Sequence, residues 1–421
     1  MINTKYRIIA TEIPVPESLE LFERLEKYEA RSMHGQLPVV WDYANDFQVH
    51  DKWGNKWIDF TSGIFVANSG HSNPYITKAL QKQIANGLLY SYTFATEIRA
   101  RFLEKLIQIT APQFEKAFLM SSGTEATECA IKLIRMRGQT ISPEKNIIIS
   151  FRGAMHGSTM GAEMLKVTEN WMVYQDPNIY HMAIPYPWEP IKYPYLDDED
   201  CDFREDRIAG FIIESYIGWA AYFYPEKLIQ ELCKFAREHN AVVCFDEIQS
   251  GFGRTGKFFA YEHYGVEPDM ICLGKGISGS LPLSAVVSSE EIMDLPNKGS
   301  MSSTFSANPL SCAAGLANLQ YLEDYNLISE SRRKGEILHQ RLREIQNKYP
   351  IIKYVFGVGL VAGLVFESSR VADIICEKAM KKGLLLVHTG RESIKIGPPL
   401  TILDEALLEG LDALEECLKE I

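Results

Sequence analysis

Two short apolar runs, each stopped dead by polar residues, constrain this chain more than any other feature. Ala241–Phe245 ends on Asp246 and Glu247, and Met270–Leu273 ends on Gly274, Lys275 and Gly276. Apolar runs of this length, bounded by turn residues, are the pattern of strands buried on both faces of a parallel sheet. Ligands of such sheets lie beyond the carboxyl ends of the strands. The two runs therefore direct an acid and an amine into one crevice. Singly, the lysine reads as a solvated side chain in a glycine loop and the aspartate as a turn cap. As a pair they read as chemistry. An unobstructed, partly desolvated amine is nucleophilic enough to condense with a carbonyl. A buried carboxylate beside it suits pyridoxal phosphate, whose ring nitrogen must stay protonated to draw electrons from a carbanion.

The neighbouring residues extend the pattern. DEIQSGFGRTG, from Asp246, and LGKGISGSLPLSAVV, from Leu273, resemble the signature of the class III aminotransferases, pyridoxal-phosphate enzymes of fold type I. The resemblance implies that Lys275 binds the cofactor as a Schiff base and then shuttles the proton. It also implies that Asp246 pairs with the pyridine nitrogen, Ile248 packs on one ring face and Gln249 lies near the ring hydroxyl.

Four more stretches carry it further. Ser121–Ala126 (SSGTEA) stands at a strand-to-helix junction, where free N–H groups and the helix dipole favour a phosphate and where Ser or Thr also serves as an ordinary cap. The run matches the family's phosphate motif, which gives Gly123 and Thr124, with Ser122 beside them, to the cofactor. Met155, His156 and Gly157 occupy the place of an aromatic-His-Gly, and a methionine can cover a ring face through its polarizable sulfur. Glu214, at the end of RIAGFIIE, matches an acid near the cofactor. Thr304, in SMSSTFSANP, implies contact with the cofactor phosphate of a neighbouring subunit, hence an obligate homodimer with shared sites.

Three positions depart from the family pattern: Ser158, Trp219 and Lys395. All stand where relatives hold or gate a carboxylate with Arg, Glu and Arg. Lysine is a point charge without the planar fork of arginine, and Lys395 also reads as a solvated surface residue. Phe65 precedes GHSNP (Gly70–Pro74), where the family lines the substrate mouth; it reads equally as core. These departures point to a neutral or cationic carbonyl acceptor, such as an oxidised amino-sugar of the 6′-dehydroparomamine type. That would be the antibiotic-biosynthesis reaction of aminoglycoside 6′-aminotransferases (the neamine transaminase type). A diamine or ω-amine transaminase is the alternative, and L-glutamate is the default donor by resemblance. Racemases, epimerases and aminomutases of the same fold use the same lysine and aspartate. A cofactor-binding scaffold without activity is the reading that intact Lys275, Asp246 and phosphate motif argue against.

The chain of 421 residues, 46% hydrophobic, is long enough for two domains. The expected architecture is α/β: a large domain, residues 61–315, with a mostly parallel seven-stranded sheet between helices, and a smaller α+β domain from residues 1–60 and 316–421. Strands are expected at Lys116–Met120, Asn146–Ser150, Arg207–Glu214, Leu283–Val287 and Leu384–His388, besides the two opening runs. Residues 169–203, rich in Pro, Tyr and Asp, read as a surface excursion at the rim of the site. The net charge of −12 disfavours nucleic acid. Eight scattered cysteines without a C-x-x-C pair, no apolar leader and no membrane-length run imply a cytoplasmic enzyme with small-molecule partners and no metal.

Overall fold

The computed structural model describes residues 1–166, 176–184, 186–187 and 204–421. Its central sheet has seven strands: β1 (Lys116–Met120), β2 (Ile147–Phe151), β3 (Ile179–Met182), β4 (Ile208–Glu214), β5 (Val242–Asp246), β6 (Met270–Leu273) and β7 (Ser284–Ser288). Their order is β1-β7-β6-β5-β4-β2-β3. Only β7 runs antiparallel, to both β1 and β6. Strand β3 falls inside the stretch read from sequence as an excursion. The rest of residues 169–203, apart from 176–184 and 186–187, lies outside the described residues.

Strands β4, β5 and β6 are buried at every residue, which is why they read as unbroken apolar runs rather than as alternation. Side chains of β5 still alternate between faces. Val242 and Cys244 pack with Ala126, Ala130, Leu133 and Ile134 of helix α1 (Gly123–Gln139). Val243 and Phe245 face Leu228, Leu232 and Ala236 of helix α2 (Glu226–Glu238). The register places Asp246 opposite Glu214 on one side and Cys272 on the other. Three strands thus deliver their carboxyl ends to one level.

Two smaller sheets use the ends of the chain. Residues 2–59 form an antiparallel sheet whose strand Lys56–Asp59 also pairs, in parallel, with Leu384–Leu385. A four-stranded sheet joins Tyr354–Phe356, Ala362–Val365, Ser393–Ile396 and Val387–His388. The single strand expected at Leu384–His388 is therefore two strands in two sheets. Both halves are apolar, so the pattern conceals the point, Leu386, at which the chain changes partner. The remaining element boundaries differ from expectation by a few residues, as helix and strand ends do. Among the described residues no helix is long and apolar enough to cross a membrane, and no cluster of His, Cys, Asp and Glu has the makings of a metal site.

Candidate active site

A cavity of about 230 Å³ opens at the carboxyl ends of β4, β5 and β6, and Lys275, Asp246, Glu214 and His156 all line it. Lys275 stands two residues past β6 with φ +46°, a left-handed conformation uncommon outside glycine. Its surface is partly open to the cavity, while the surrounding protein encloses the amine and holds it below the ordinary lysine range. Asp246 and Glu214 pull the other way.

Asp246 is 5% exposed, and both of its oxygens are held. Oδ1 accepts the Ile248 N–H at 3.0 Å, and Oδ2 lies 2.7 Å from Nδ1 of His156. The far nitrogen of that imidazole, Nε2, lies 3.2 Å from Ser150 Oγ. His156, expected from the motif, thus meets an aspartate 90 positions away; nothing in the sequence pattern signals that contact. Glu214 accepts the N–H groups of Met155 and Gly218, each at 3.2 Å. Burial pushes its carboxyl up to about 7, with His156 opposing the rise and Asp246 adding to it.

The second acid at the end of β5 goes elsewhere. Glu247 is fully buried and accepts hydrogen bonds from Ser215 Oγ, Ser250 Oγ and the N–H groups of Ala260 and Tyr261, at 2.6–3.0 Å. Successive strand residues face opposite ways, so Asp246 meets the crevice while Glu247 fastens the loop after β5.

At the other end of the cavity α1 begins. A Cβ on Gly123 would lie 3.0 Å from Ile248, and one on Gly157 would lie 2.3 Å from Thr124 Oγ1. The two glycines keep open a slot that side chains would close. Thr124 Oγ1 lies 2.6 Å from Thr159 Oγ1. Glu125 accepts the Ser121 and Ser122 N–H groups at 3.1 and 2.8 Å and Ser303 Oγ at 3.0 Å. Among the described residues no hydrogen bond occupies the N–H groups of Gly123 and Thr124, which stand at the positive end of the helix, where an anion is favoured. Ile248 and the half-exposed Met155 border the slot. An enclosed amine, a carboxylate fixed by two donors and a helix start with a glycine slot are the groups that pyridoxal phosphate needs.

Of the expected substrate residues, Phe65, Trp219 and Lys395 stand behind the cavity lining, and Lys395 is buried, not a solvated surface lysine. Its Nζ donates to Gln249 Oε1 at 3.1 Å and lies 4.8 Å from the centre of the Phe65 ring. Tyr216, which the motifs did not single out, donates its hydroxyl to the same oxygen at 3.3 Å. Burial lowers the Lys395 amine to about 7, Lys275 adding and Glu214 opposing. Phe65 is 1% exposed, so it supports Lys395 as core rather than forming an open wall. Trp219 is nearly buried, and the guanidinium of Arg391 lies 4.1 Å over its ring. Arg391 belongs to no motif and was missed. Ser158 is exposed. Thr304 is also exposed, beside the solvent-facing Phe305, and does not line the cavity.

Comparison with known proteins agrees with this geometry. The family model for aminotransferase class III matches residues 29–418. The chain is 35% identical to an acetylornithine aminotransferase of Methanocaldococcus jannaschii, over 94% of its own length and 98% of the relative's. It is also 32% identical to an alanine/serine racemase of Pyrococcus horikoshii, over 100% and 94% of the two chains. Among solved structures, acetylornithine aminotransferase from Elizabethkingia anophelis superposes with a TM-score of 0.82 at 29% identity, covering 96% of this chain and 99% of that one. A match across nearly the whole chain, over a crevice built for the same cofactor, places this protein in the class III aminotransferases, pyridoxal-phosphate enzymes of fold type I.

Proposed function

We propose that the protein is a ping-pong aminotransferase that takes an amino group from a carboxylate-bearing donor, L-glutamate by default, and passes it to an aldehyde or ketone. The observation that carries the reading is the convergence of Lys275 and a doubly fixed Asp246 on one cavity. Pyridoxal phosphate, when bound, supplies an aldehyde that condenses with amines and a ring that takes up electrons from the substrate carbon. Lys275 would hold it and, once released, move a proton at Nζ; burial lowers this amine below the ordinary lysine range, the direction a base requires. Asp246 would hold the charged ring nitrogen, and Gly123 and Thr124 the phosphate. Lys395, fixed by Gln249, offers a cation to a substrate carboxylate.

Several finer readings rest on the same basis. Exposed Thr304 and Phe305 suit a homodimer in which each subunit completes the other's phosphate site. The seven cysteines among the described residues are free and buried, which suits the reducing cytoplasm. An oxidised amino-sugar of the 6′-dehydroparomamine type draws support from Trp219 and the acidic surface. Two cations on the substrate side, Lys395 and Arg391, weigh against so cationic an acceptor and favour the ω-aldehyde of an amino acid. Racemisation keeps support from the Pyrococcus relative.

The test is an absorption spectrum of the cofactor-loaded protein before and after L-glutamate, with no acceptor present. The band of the lysine-bound cofactor should convert to that of the pyridoxamine form, and Lys275→Ala should abolish the change without unfolding the protein. An unchanged band, with D/L interconversion of an amino acid that needs no 2-oxo acid, would replace transamination by racemisation.

A further inference from the structure

We propose that a cavity at the amino ends of β5 and β6 binds a free α-amino acid with a cationic side chain. Arg237 would take its carboxylate, Asp269 its α-ammonium and Glu267 the cation at the end of its side chain. The site goes beyond the aminotransferase reading, since it lies across the sheet from Lys275.

The cavity measures about 330 Å³, against about 230 Å³ for the crevice that Lys275 lines. Ala241, Val242 and Val243 line it where β5 begins, and Glu267, Pro268 and Asp269 line it where the chain enters β6. From Val242 to Asp246, β5 rises on the order of 13 Å, so the two openings stand at opposite ends of the same strand. The lining is fixed by its own backbone. The Asp269 N–H donates to the Val243 carbonyl at 3.0 Å, and Asp269 Oδ2 accepts the Val243 N–H at 2.8 Å. The Asp269 carbonyl accepts Ser288 Oγ, at the end of β7, at 2.6 Å.

The charges of the lining do not satisfy one another. Asp269 Oδ1 has no hydrogen bond among the described residues. Burial pushes this carboxyl above the ordinary range, and the Val243 N–H, Arg237 and Arg137 oppose the rise. Both guanidiniums thus act on Asp269, yet among the described residues neither comes within 4.0 Å of it as an ion pair. All three side chains line the same open space.

Arg137 is already engaged, by Glu291 at 3.2 Å and Thr140 Oγ1 at 2.9 Å. The side chains of Arg237 and Glu267 have no hydrogen bond or ion pair among the described residues. What is left unpaired is one cation, Arg237, and two anions, Asp269 and Glu267. The complement is one carboxylate and two cationic groups on a single small molecule, which describes a basic amino acid. Guanidinium and carboxylate pair through two parallel N–H bonds. Asp269, close enough to feel Arg237, suits the amine on the carbon that bears the carboxylate. Glu267, exposed and two positions earlier, suits the far cation.

The experiment is a calorimetric titration of the cofactor-loaded enzyme, treated with borohydride so that the cofactor stays fixed on Lys275 and the catalytic crevice takes up no amine. The probes are L-lysine, L-norleucine, which lacks the side-chain amine, and cadaverine, which lacks the carboxylate. L-lysine should bind about 10- to 100-fold more tightly than either, the size of one charge-assisted contact. Glu267→Gln should weaken L-lysine by a similar factor and leave L-norleucine unchanged. Arg237→Gln should weaken L-lysine likewise and leave cadaverine unchanged. A wild-type enzyme that ignores L-lysine, equal binding of the three probes, or L-lysine binding that survives both substitutions would each overturn the proposal.

Discussion

The hydrogen bond between His156 and Asp246 is the contact whose loss should be most instructive. His156→Phe keeps an aromatic ring in a site that is 2% exposed and removes both of its polar bonds, at 2.7 Å to Asp246 and 3.2 Å to Ser150. Asp246 Oδ1 would retain the Ile248 N–H, so the carboxylate stays in place with one partner of two. A hydrogen bond to a charged group contributes about 1.5–3 kcal/mol net. If Asp246 holds the ring nitrogen as proposed, losing that bond should slow proton removal about 10- to 150-fold, at 1.36 kcal/mol per factor of ten. Single-turnover absorbance with saturating L-glutamate measures that step directly. His156→Gln, which can still donate, should recover much of the loss, whereas a purely space-filling role would favour Phe over Gln. A wild-type rate in His156→Phe with cofactor fully bound would refute the reasoning.

Three further outcomes follow from two buried cations. Lys395 has its amine lowered from 10.5 to about 7 by burial, so it is charged below that pH and neutral above. Carboxylate substrates should bind at full strength below pH 7 and lose up to about tenfold per unit as the pH rises through it; Lys395→Arg should flatten this limb of the KM profile. For stability, the folded state bears the cost of a buried ammonium in full below pH 7, and the cost shrinks towards pH 10.5, so Lys395→Met should raise the melting temperature more at pH 6 than at pH 9. Arg254 is fully buried, and its guanidinium donates to the carbonyls of Leu360 and Pro398, to Ser62 Oγ and to Asn68 Oδ1. Arg254→Ala strands those acceptors and opens a cavity, a loss of about 3–5 kcal/mol that a thermal scan should register as several degrees; a shift under one degree would refute that account.

The parts of this fold that could be read from sequence are those whose environment is uniform along the chain. Strands β4, β5 and β6 are buried throughout, and polar residues mark the ends of β5 and β6, so Asp246 and Lys275 could be placed together before any contact was known, while Glu214 came from the motif match. Contacts between distant segments left no such mark. His156 meets Asp246, Lys395 meets Gln249, and Arg391 meets Trp219, and no periodicity encodes any of those pairs. The motif match supplied His156, Gln249 and Lys395 as positions, but nothing in it indicated Arg391 or Tyr216. Phe65 shows the converse limit, since an aromatic residue beside a pocket reads the same whether it lines the opening or supports a lysine beneath it. The division of Leu384–His388 between two sheets escaped notice because apolar residues look alike on either side of a partner change.

That partner change separates two inheritances within one enzyme. The groups that face the cofactor come from strand ends between residues 120 and 276. The hairpin that carries Lys395 comes more than a hundred residues later, tied through Leu384–Leu385 to the strand Lys56–Asp59. Substitutions in its turn, residues 388–392, avoid the core that supports Asp246, whereas Ile394 and Ile396 are fully buried in one cluster with Val243 and Phe245. A laboratory search for new acceptors should place its diversity in those five turn positions and leave the central sheet untouched.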